Sequence, residues 1–295
     1  MDETDLAILQ QLLINCRSTN REIAETTNLS VSAVHKRIKA LEEDHVISAY
    51  TARPSIMALN SIPVVVIGRT TSTSMDNVQK RVGEHENVFA IAIASGKMMY
   101  ISAMLRNISE LQDFSTSITK LGELEDAMIG IVNVDYAKEP LHLSDIEMRI
   151  IKSLNRNGRK SFSDIGLEIG SSAKTTRKYI EAMIEENKAL FSIEWAPLYR
   201  DSFVSVIHIE VPTGTDVNEL TMLLYQKYQK NVVICANFGN IPNFILLEIW
   251  TQSPRENQKI IEQLQESGFK DITPHILLSI SWHTNWMDKM LQDRK

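Results

Sequence analysis

Val31, Val34, Ile38 and Leu41 recur three and four residues apart, the spacing of one buried stripe on a helix over about 31–43. Two shorter helices precede it, over about 3–14 and 20–26, each opened by a polar residue with an acid three positions on: Asp2 with Asp5, and Thr19 with Glu22. That spacing lets the first oxygen and the later acid satisfy orphan amides of the first turn. An extended stretch, VISAYTARP, follows and is closed by Pro54. The pattern then changes period. IPVVVIGRT, VFAIAIAS, MMYISAMLR and DAMIGIVNVDY are β-rich runs. Between them lie helices over 75–84 and 109–121, the second with Leu111, Phe114, Ile118 and Leu121 on one face. Strand, helix, strand, strand, helix, strand is the order of a ferredoxin-like unit.

The whole succession then recurs. A shift of 142 positions aligns residues 2–46 with 144–188 without a gap and pairs Ile8 with Ile150, Leu12 with Leu154, Arg17 with Arg159, Ile23 with Ile165, Ser30 with Ser172, Lys36 with Lys178 and Ile38 with Ile180. The helix starts recur too, as Ser144 with Glu147 and Ser161 with Asp164. The second copy therefore has helices over about 145–156, 162–168 and 173–186, then LFSIEWAPL closed by Pro197. Here Ala173, Thr176, Ile180 and Met183 take the buried positions. A second β-rich set follows: FVSVIHIEV, helix 216–229, VVICANF, FILLEIW, helix 254–266 and ITPHILLSIS, with a short tail over 284–295. Three short helices and a strand are the parts of a winged helix-turn-helix. The expected fold is α+β, a tandem repeat of winged helix-turn-helix and ferredoxin-like βαββαβ modules. The expected boundaries are 1–60, 61–140, 141–200 and 201–295.

Composition changes this picture only through charge. The net charge of −6 argues against indiscriminate binding to polyanions, yet cations gather locally. Arg17, Arg21, Lys36, Arg37 and Lys39 face only Glu22 and Glu25 within 15–41. Arg156, Arg159, Lys160, Lys174, Arg177 and Lys178 face only Asp164 and Glu168 within 156–180. The acidic opening MDETD has neither the basic nor the apolar part of a signal peptide, and the longest apolar run, around Ile62–Ile67, is far too short to cross a bilayer. The expectation is a cytoplasmic protein with no membrane partner. Cys16 and Cys235 form no metal-type or CxxC spacing and read as reduced thiols. Neither a metal nor a cofactor is expected.

On the third helix, Ser32, His35, Lys36 and Lys39 lie opposite the apolar stripe; Lys174, Arg177, Lys178 and Glu181 take the same positions in the second copy. A solvated face would explain one such helix. Three features favour DNA. The face sits on the third helix, where a recognition helix belongs. The first turns after Ser30 and Ser172 lack the acid that the preceding helices carry, so a phosphate can approach. The pattern also occurs twice in one register. Ser30 and Ser172 with the helix N-termini would position phosphates, and the basic residues would face bases or backbone.

These residues carry a resemblance. The opening D-x-x-D-x-x-I-L, the turn L-S-x-S-A-V and the ending RIKALEEDHVI resemble the DNA-binding half of the leucine-responsive/asparagine (Lrp/AsnC) transcription regulators. The sheet modules match that family's effector and oligomerisation domain in pattern alone, and Ser171 stands where the family's turn leucine would fall in the second copy. The chain looks like a fused pair of family members. The resemblance implies double-stranded DNA as partner, a homo-oligomer, and a small, amino-acid-like effector near the turn between the second and third strands. Those turns hold Gly96 and Lys97 in the first copy and Gly239 and Asn240 in the second, the glycines suiting a positive φ. The acid that the family carries there is absent from both.

Two other readings compete. Relatives of this fold decarboxylate siroheme, using histidines within an aromatic-rich segment of the sheet module. Here His35, His45, His85, His142, His208, His275 and His283 are scattered. His208 and His275 read as satisfied core histidines, and Trp282, His283 and Trp286 as a C-terminal segment docked on its own domain. No P-loop or dinucleotide glycine pattern occurs, and Ser171-x-x-Lys174 lacks the partner motifs of a serine acylase. The expectation is therefore not an enzyme. The last reading is an interaction scaffold that has lost DNA binding.

Overall fold

The computed structural model describes residues 1–134, 141–196 and 203–292. Pro197, the module boundaries near 140 and 200, and residues 293–295 of the tail lie outside the described residues. In chain order the first copy contributes α1 (Glu3–Ile14), α2 (Asn20–Thr27), α3 (Val31–Glu43), β1 (Ile47–Pro54) and a short α4 (Ile56–Leu59). Its sheet part is β2 (Ile62–Thr70), α5 (Met75–Gly83), β3 (Val88–Ala94), β4 (Met98–Leu105), α6 (Leu111–Gly122) and β5 (Leu124–Ile131). The second copy gives α7 (Asp145–Leu154), α8 (Phe162–Ile169), α9 (Ala173–Glu185) and β6 (Ala189–Trp195). Then come β7 (Phe203–Glu210), α10 (Val217–Lys227), β8 (Val232–Phe238), β9 (Ile241–Thr251), α11 (Pro254–Gln265), β10 (Asp271–Trp282) and α12 (Trp286–Gln292). The elements follow the two hydrophobic periods closely.

The chain divides into two compact units, one holding both helical modules and α12, the other both sheet modules. In the helical unit each three-helix module buries a small core: Leu6, Ile8, Leu9 and Leu12 of α1 with Val34, Ile38 and Leu41 of α3, and Ile150, Ile151 and Leu154 with Ile180 and Met183. Each such side chain is worth about 1.5–3 kcal/mol of burial. The stripe is one position shorter than its spacing suggests, because Val31 is 49 % exposed and Ala173 is exposed as well. Helical side chains lean toward the N-terminus, so a residue in the first position projects past the helix that should cover it.

The two extended stretches do not form separate wings. They pair with each other, antiparallel, with Tyr50 opposite Ile193 and Pro54 opposite Ala189. Two arginines at equivalent positions lock the pair. The Arg17 Nη1 donates to the Gly158 and Lys160 carbonyls at 2.6 and 3.1 Å, and the Arg159 Nε donates to the Cys16 carbonyl at 2.8 Å. Their guanidinium groups lie over Phe162 and Tyr50, at 4.6 and 4.3 Å from the ring centres. Gly158 must be glycine here, since a Cβ would stand 2.9 Å from both the Cys16 Sγ and the Thr51 carbonyl oxygen.

Trp282 and His283 stay in the sheet unit, Trp282 stacked on Phe89, whereas the segment with Trp286 docks on the helical unit and not on its own sheet module, contrary to the sequence expectation. The reason is Asp288, which is fully buried. It accepts from Arg53 Nε at 2.8 Å and Asn155 Nδ2 at 2.9 Å, and Arg53 also reaches Glu194 at 2.7 Å. A carboxylate in that position needs these partners.

In the other unit the two sheet modules merge into one antiparallel sheet of order β5-β2-β4-β3-β10-β7-β9-β8. The long β10 makes the junction, pairing with β7 over Asp271–Ile276 and with β3 over Leu277–Trp282. One face carries α5, α6, α10 and α11 over two apolar cores, around Ile91, Ile101 and Phe114 and around Ile207, Leu247 and Leu264. The sheet curls until its ends approach, through a Val132–Phe238 bridge. A Cβ on Gly130 would lie 2.2 Å from the Phe238 ring, which is why that edge position is glycine.

Candidate nucleic-acid interface

The turn before each third helix closes with a left-handed residue, Asn28 at φ 55° and Gly170 at φ 70°, whose amide returns to the carbonyl of Ala24 or Gly166. The serine that follows caps the next helix. Ser30 Oγ accepts from the Ala33 amide at 3.2 Å and Ser172 Oγ from the Thr175 amide at 3.1 Å. Both serines therefore have a structural role, and with no acid in either first turn the remaining N-terminal amides keep a positive potential.

The structure sorts the cations of the two basic patches. Arg17 and Arg159 hold the modules together, Arg156 pairs with Glu194 at 3.1 Å within the second copy, Arg37 pairs with Asp5 at 2.7 Å, and Lys160 pairs with Glu168 at 2.8 Å. The exposed set is Lys36 and Lys39 with Ser32 and His35 on α3, and Lys174, Arg177 and Lys178 on α9. Lys36, Lys174 and Lys178 have no ion-pair partner among the described residues. Lys39 lies 3.5 Å from Glu43, Arg177 Nε donates to Glu181 at 2.7 Å, and His35 Nδ1 is 3.5 Å from Asn20 Nδ2. All nine sequence-derived residues thus lie on or at the start of the two third helices. The sequence reading missed the part played by Arg17 and Arg159; their identity at equivalent positions in both copies was the available signal.

The two sheet turns are less open to a ligand. Gly96 has the expected left-handed φ of 71°, and Lys97 follows at φ 61° with its amine donating to the Ser72 carbonyl at 3.1 Å. Gly239 does not use a positive φ, which corrects the sequence expectation. The β8–β9 pairing is irregular at Asn237 and Phe238, and the turn closes without that conformation. Asn240 is occupied by the β5 edge: its Oδ1 accepts from the Ile131 amide at 2.7 Å and its Nδ2 donates to the Ile129 carbonyl at 2.8 Å.

The face opposite the sheet helices holds a polar cluster that the sequence showed only as single histidines. Tyr100 OH and His208 Nε2 are 2.8 Å apart, and the His275 ring lies 4.8 Å from that of His208. Burial, with the neighbouring His275, lowers the His208 pKa to about 4, and burial raises that of Glu248 to about 7. His208 is thus a neutral, satisfied core histidine. No helix among the described residues is long and apolar enough to cross a membrane.

A doubled helix-turn-helix with capped, cation-bearing third helices defines a winged helix-turn-helix regulator. A winged helix-turn-helix DNA-binding family model matches residues 1–48 and again 143–188. The HTH-type transcriptional regulator LrpA of Pyrococcus horikoshii is 32% identical over 127 residues, covering 42% of this chain and 89% of LrpA. The HTH-type transcriptional regulator FL11 of Pyrococcus abyssi is 26% identical over 135 residues, 45% of this chain and 89% of FL11. The crystal structure of the siroheme decarboxylase NirDL superposes with a TM-score of 0.62 at 12% identity, covering 98% of this chain and 97% of that one, a likeness of fold alone. The chain belongs to the Lrp/AsnC family of transcriptional regulators, in a fused two-repeat form.

Proposed function

We propose that this chain binds double-stranded DNA sequence-specifically through α3 and α9 and regulates transcription. The observation that carries this is the pair of exposed cationic faces, each on the third helix of its module and each opened by a serine cap with no acid beside it. Lys36 and Lys178 would meet phosphates or base edges, with Ser32, His35, Lys39, Lys174 and Arg177 around them. Gel shifts with genomic fragments test it: a preference for particular fragments supports regulation, whereas a decarboxylase or a scaffold shows none.

The sheet unit would carry self-association and effector response. Met222, Leu223 and Tyr225 are exposed apolar side chains on α10, suited to a second copy of the chain. An amino-acid-like effector would enter the hollow of about 260 Å³ beside the second turn by opening the Glu210–Lys270 ion pair, closed at 3.0 Å, which then supplies both charges beside the Asn243 amide. Thermal-shift screening against the amino acids tests that placement, and a flat screen removes it.

A further inference from the structure

The two third helices share their caps and one lysine, Ser30 with Ser172 and Lys36 with Lys178. Caps and phosphate contacts set register and carry no sequence information. Discrimination must come from the positions that differ, and here the structure adds what the alignment lacks. In the second module Arg177 is held from two sides: its Nε donates to Glu181 at 2.7 Å, and its guanidinium lies 5.9 Å from the Phe162 ring. Both terminal nitrogens remain available as a fork, the geometry that matches O6 and N7 of guanine. In the first module the equivalent positions hold His35 and Asn20, 3.5 Å apart, a histidine–amide pair with no fork of that kind. Where the second helix begins with Ala173, the first begins with Val31, 49 % exposed, an apolar group that suits a thymine methyl. Where the second carries Glu181, the first carries Lys39.

The pairing of the modules is also one-directional. Cys16 and Gly158 occupy equivalent positions, and the space at Gly158 is filled by the Cys16 Sγ and the Thr51 carbonyl. Two first modules facing each other would place a cysteine where only glycine fits. Asp288 reinforces the order by joining Arg53 of the first copy to Asn155 of the second.

We infer that one chain reads a duplex with two unlike halves: a guanine-bearing half under α9, fixed by Arg177, and a half under α3 read by Val31 and the His35–Asn20 pair. This rests on the DNA-binding function proposed above. The test starts with selection by the full-length protein from duplexes with a randomised centre. The two selected halves, A and B, are then rebuilt in head-to-head orientation as three duplexes, A–B and the inverted repeats A–A and B–B. The expected result is that A–B binds more tightly than either symmetric duplex, and that replacing the guanine of B weakens binding on the order of 10- to 100-fold. Arg177→His, at an exposed position, should lose that guanine preference while keeping the preference within A. Equal binding of A–A, B–B and A–B, or an Arg177→His protein with unchanged guanine preference, overturns the inference and leaves DNA binding standing. Selection that enriches no sequence defeats both, so the two failures are distinguishable.

Discussion

At the scale of single residues, position in the fold decides what a charge does. Lys36 and Lys178 occupy one register in both copies, are exposed, and lack an ion-pair partner among the described residues. Changing either to alanine should weaken DNA binding by about 1–3 kcal/mol if it reads a base, or lower the salt slope by about one if it meets phosphate. Titrations at several salt concentrations decide, and two variants with unaltered affinity and slope would remove both lysines from the interface. Asp288 is the opposite case. Burial alone would push its carboxyl up, but hydrogen bonds and charge from Arg53, with Asn155 and Arg156, hold it below the usual carboxylate range. A depressed value means that its contribution is present above the ordinary aspartate pKa and is lost on acidification. Asp288→Ala should cost about 1.5–3 kcal/mol, because it removes the charged hydrogen bonds from Arg53 and Asn155 while Glu194 still compensates Arg53. Urea unfolding at neutral pH measures it, and a loss below about 1 kcal/mol would show that the cluster relaxes.

Among elements, what was legible followed from local physics. The apolar stripe of α3, the capping pairs at Thr19 and Ser144, and the change to period two across β2 to β5 place nearly every helix and strand. The third helices, and with them the candidate interface, were equally legible. Pairing between β1 and β6 was not, because strand partners distant in sequence leave no periodic trace and Arg17 looks like any surface cation until Gly158 faces it. The destination of α12 was hidden for a similar reason: Asp288 in a tail gives no sign of Arg53, 235 residues away. Two substitutions test these element-level claims. Ser30→Ala removes the cap of α3 and should cost about 1 kcal/mol. Gly158→Ala forces the Cys16 thiol or the Thr51 carbonyl aside and should cost about 1–3 kcal/mol, partly recovered by adding Cys16→Ala. Denaturant midpoints for Ser30→Ala, and for Gly158→Ala, Cys16→Ala and their double, decide, and full additivity within the last three would mean that Cys16 is not the obstacle.

For the whole molecule, the curled sheet does more than join two modules, because it encloses titratable groups whose pH responses oppose each other. His208 and Glu248 lie on the same face of neighbouring strands, since Val206 is opposite both Glu248 and His275. His208, depressed to about 4, penalises folding as pH falls below 6.5, where the unfolded chain binds more protons. Glu248, raised to about 7, penalises it as pH rises above 4.5, where the unfolded chain has already ionised. Between about pH 4.5 and 6.5 the two slopes oppose, so this pair should leave stability nearly level there. Glu248→Gln should expose the histidine slope as a loss of stability on acidification, whereas an unchanged profile in thermal melts would show that Glu248 does not titrate in that range. The same unit leaves Met222, Leu223 and Tyr225 exposed on α10, which packs over β8. Three large apolar side chains exposed together on one helix are a surface that proteins ordinarily protect. If a second copy covers it, Leu223→Glu, which is 52 % exposed and therefore tolerable to the fold, should shift the protein to a smaller species in light scattering at micromolar concentration. Each chain keeps both recognition helices, so binding to a single A–B duplex should persist in that variant while cooperative binding to two adjacent sites is lost. A wild-type chain that is strictly monomeric at those concentrations would assign the exposed group to some other partner.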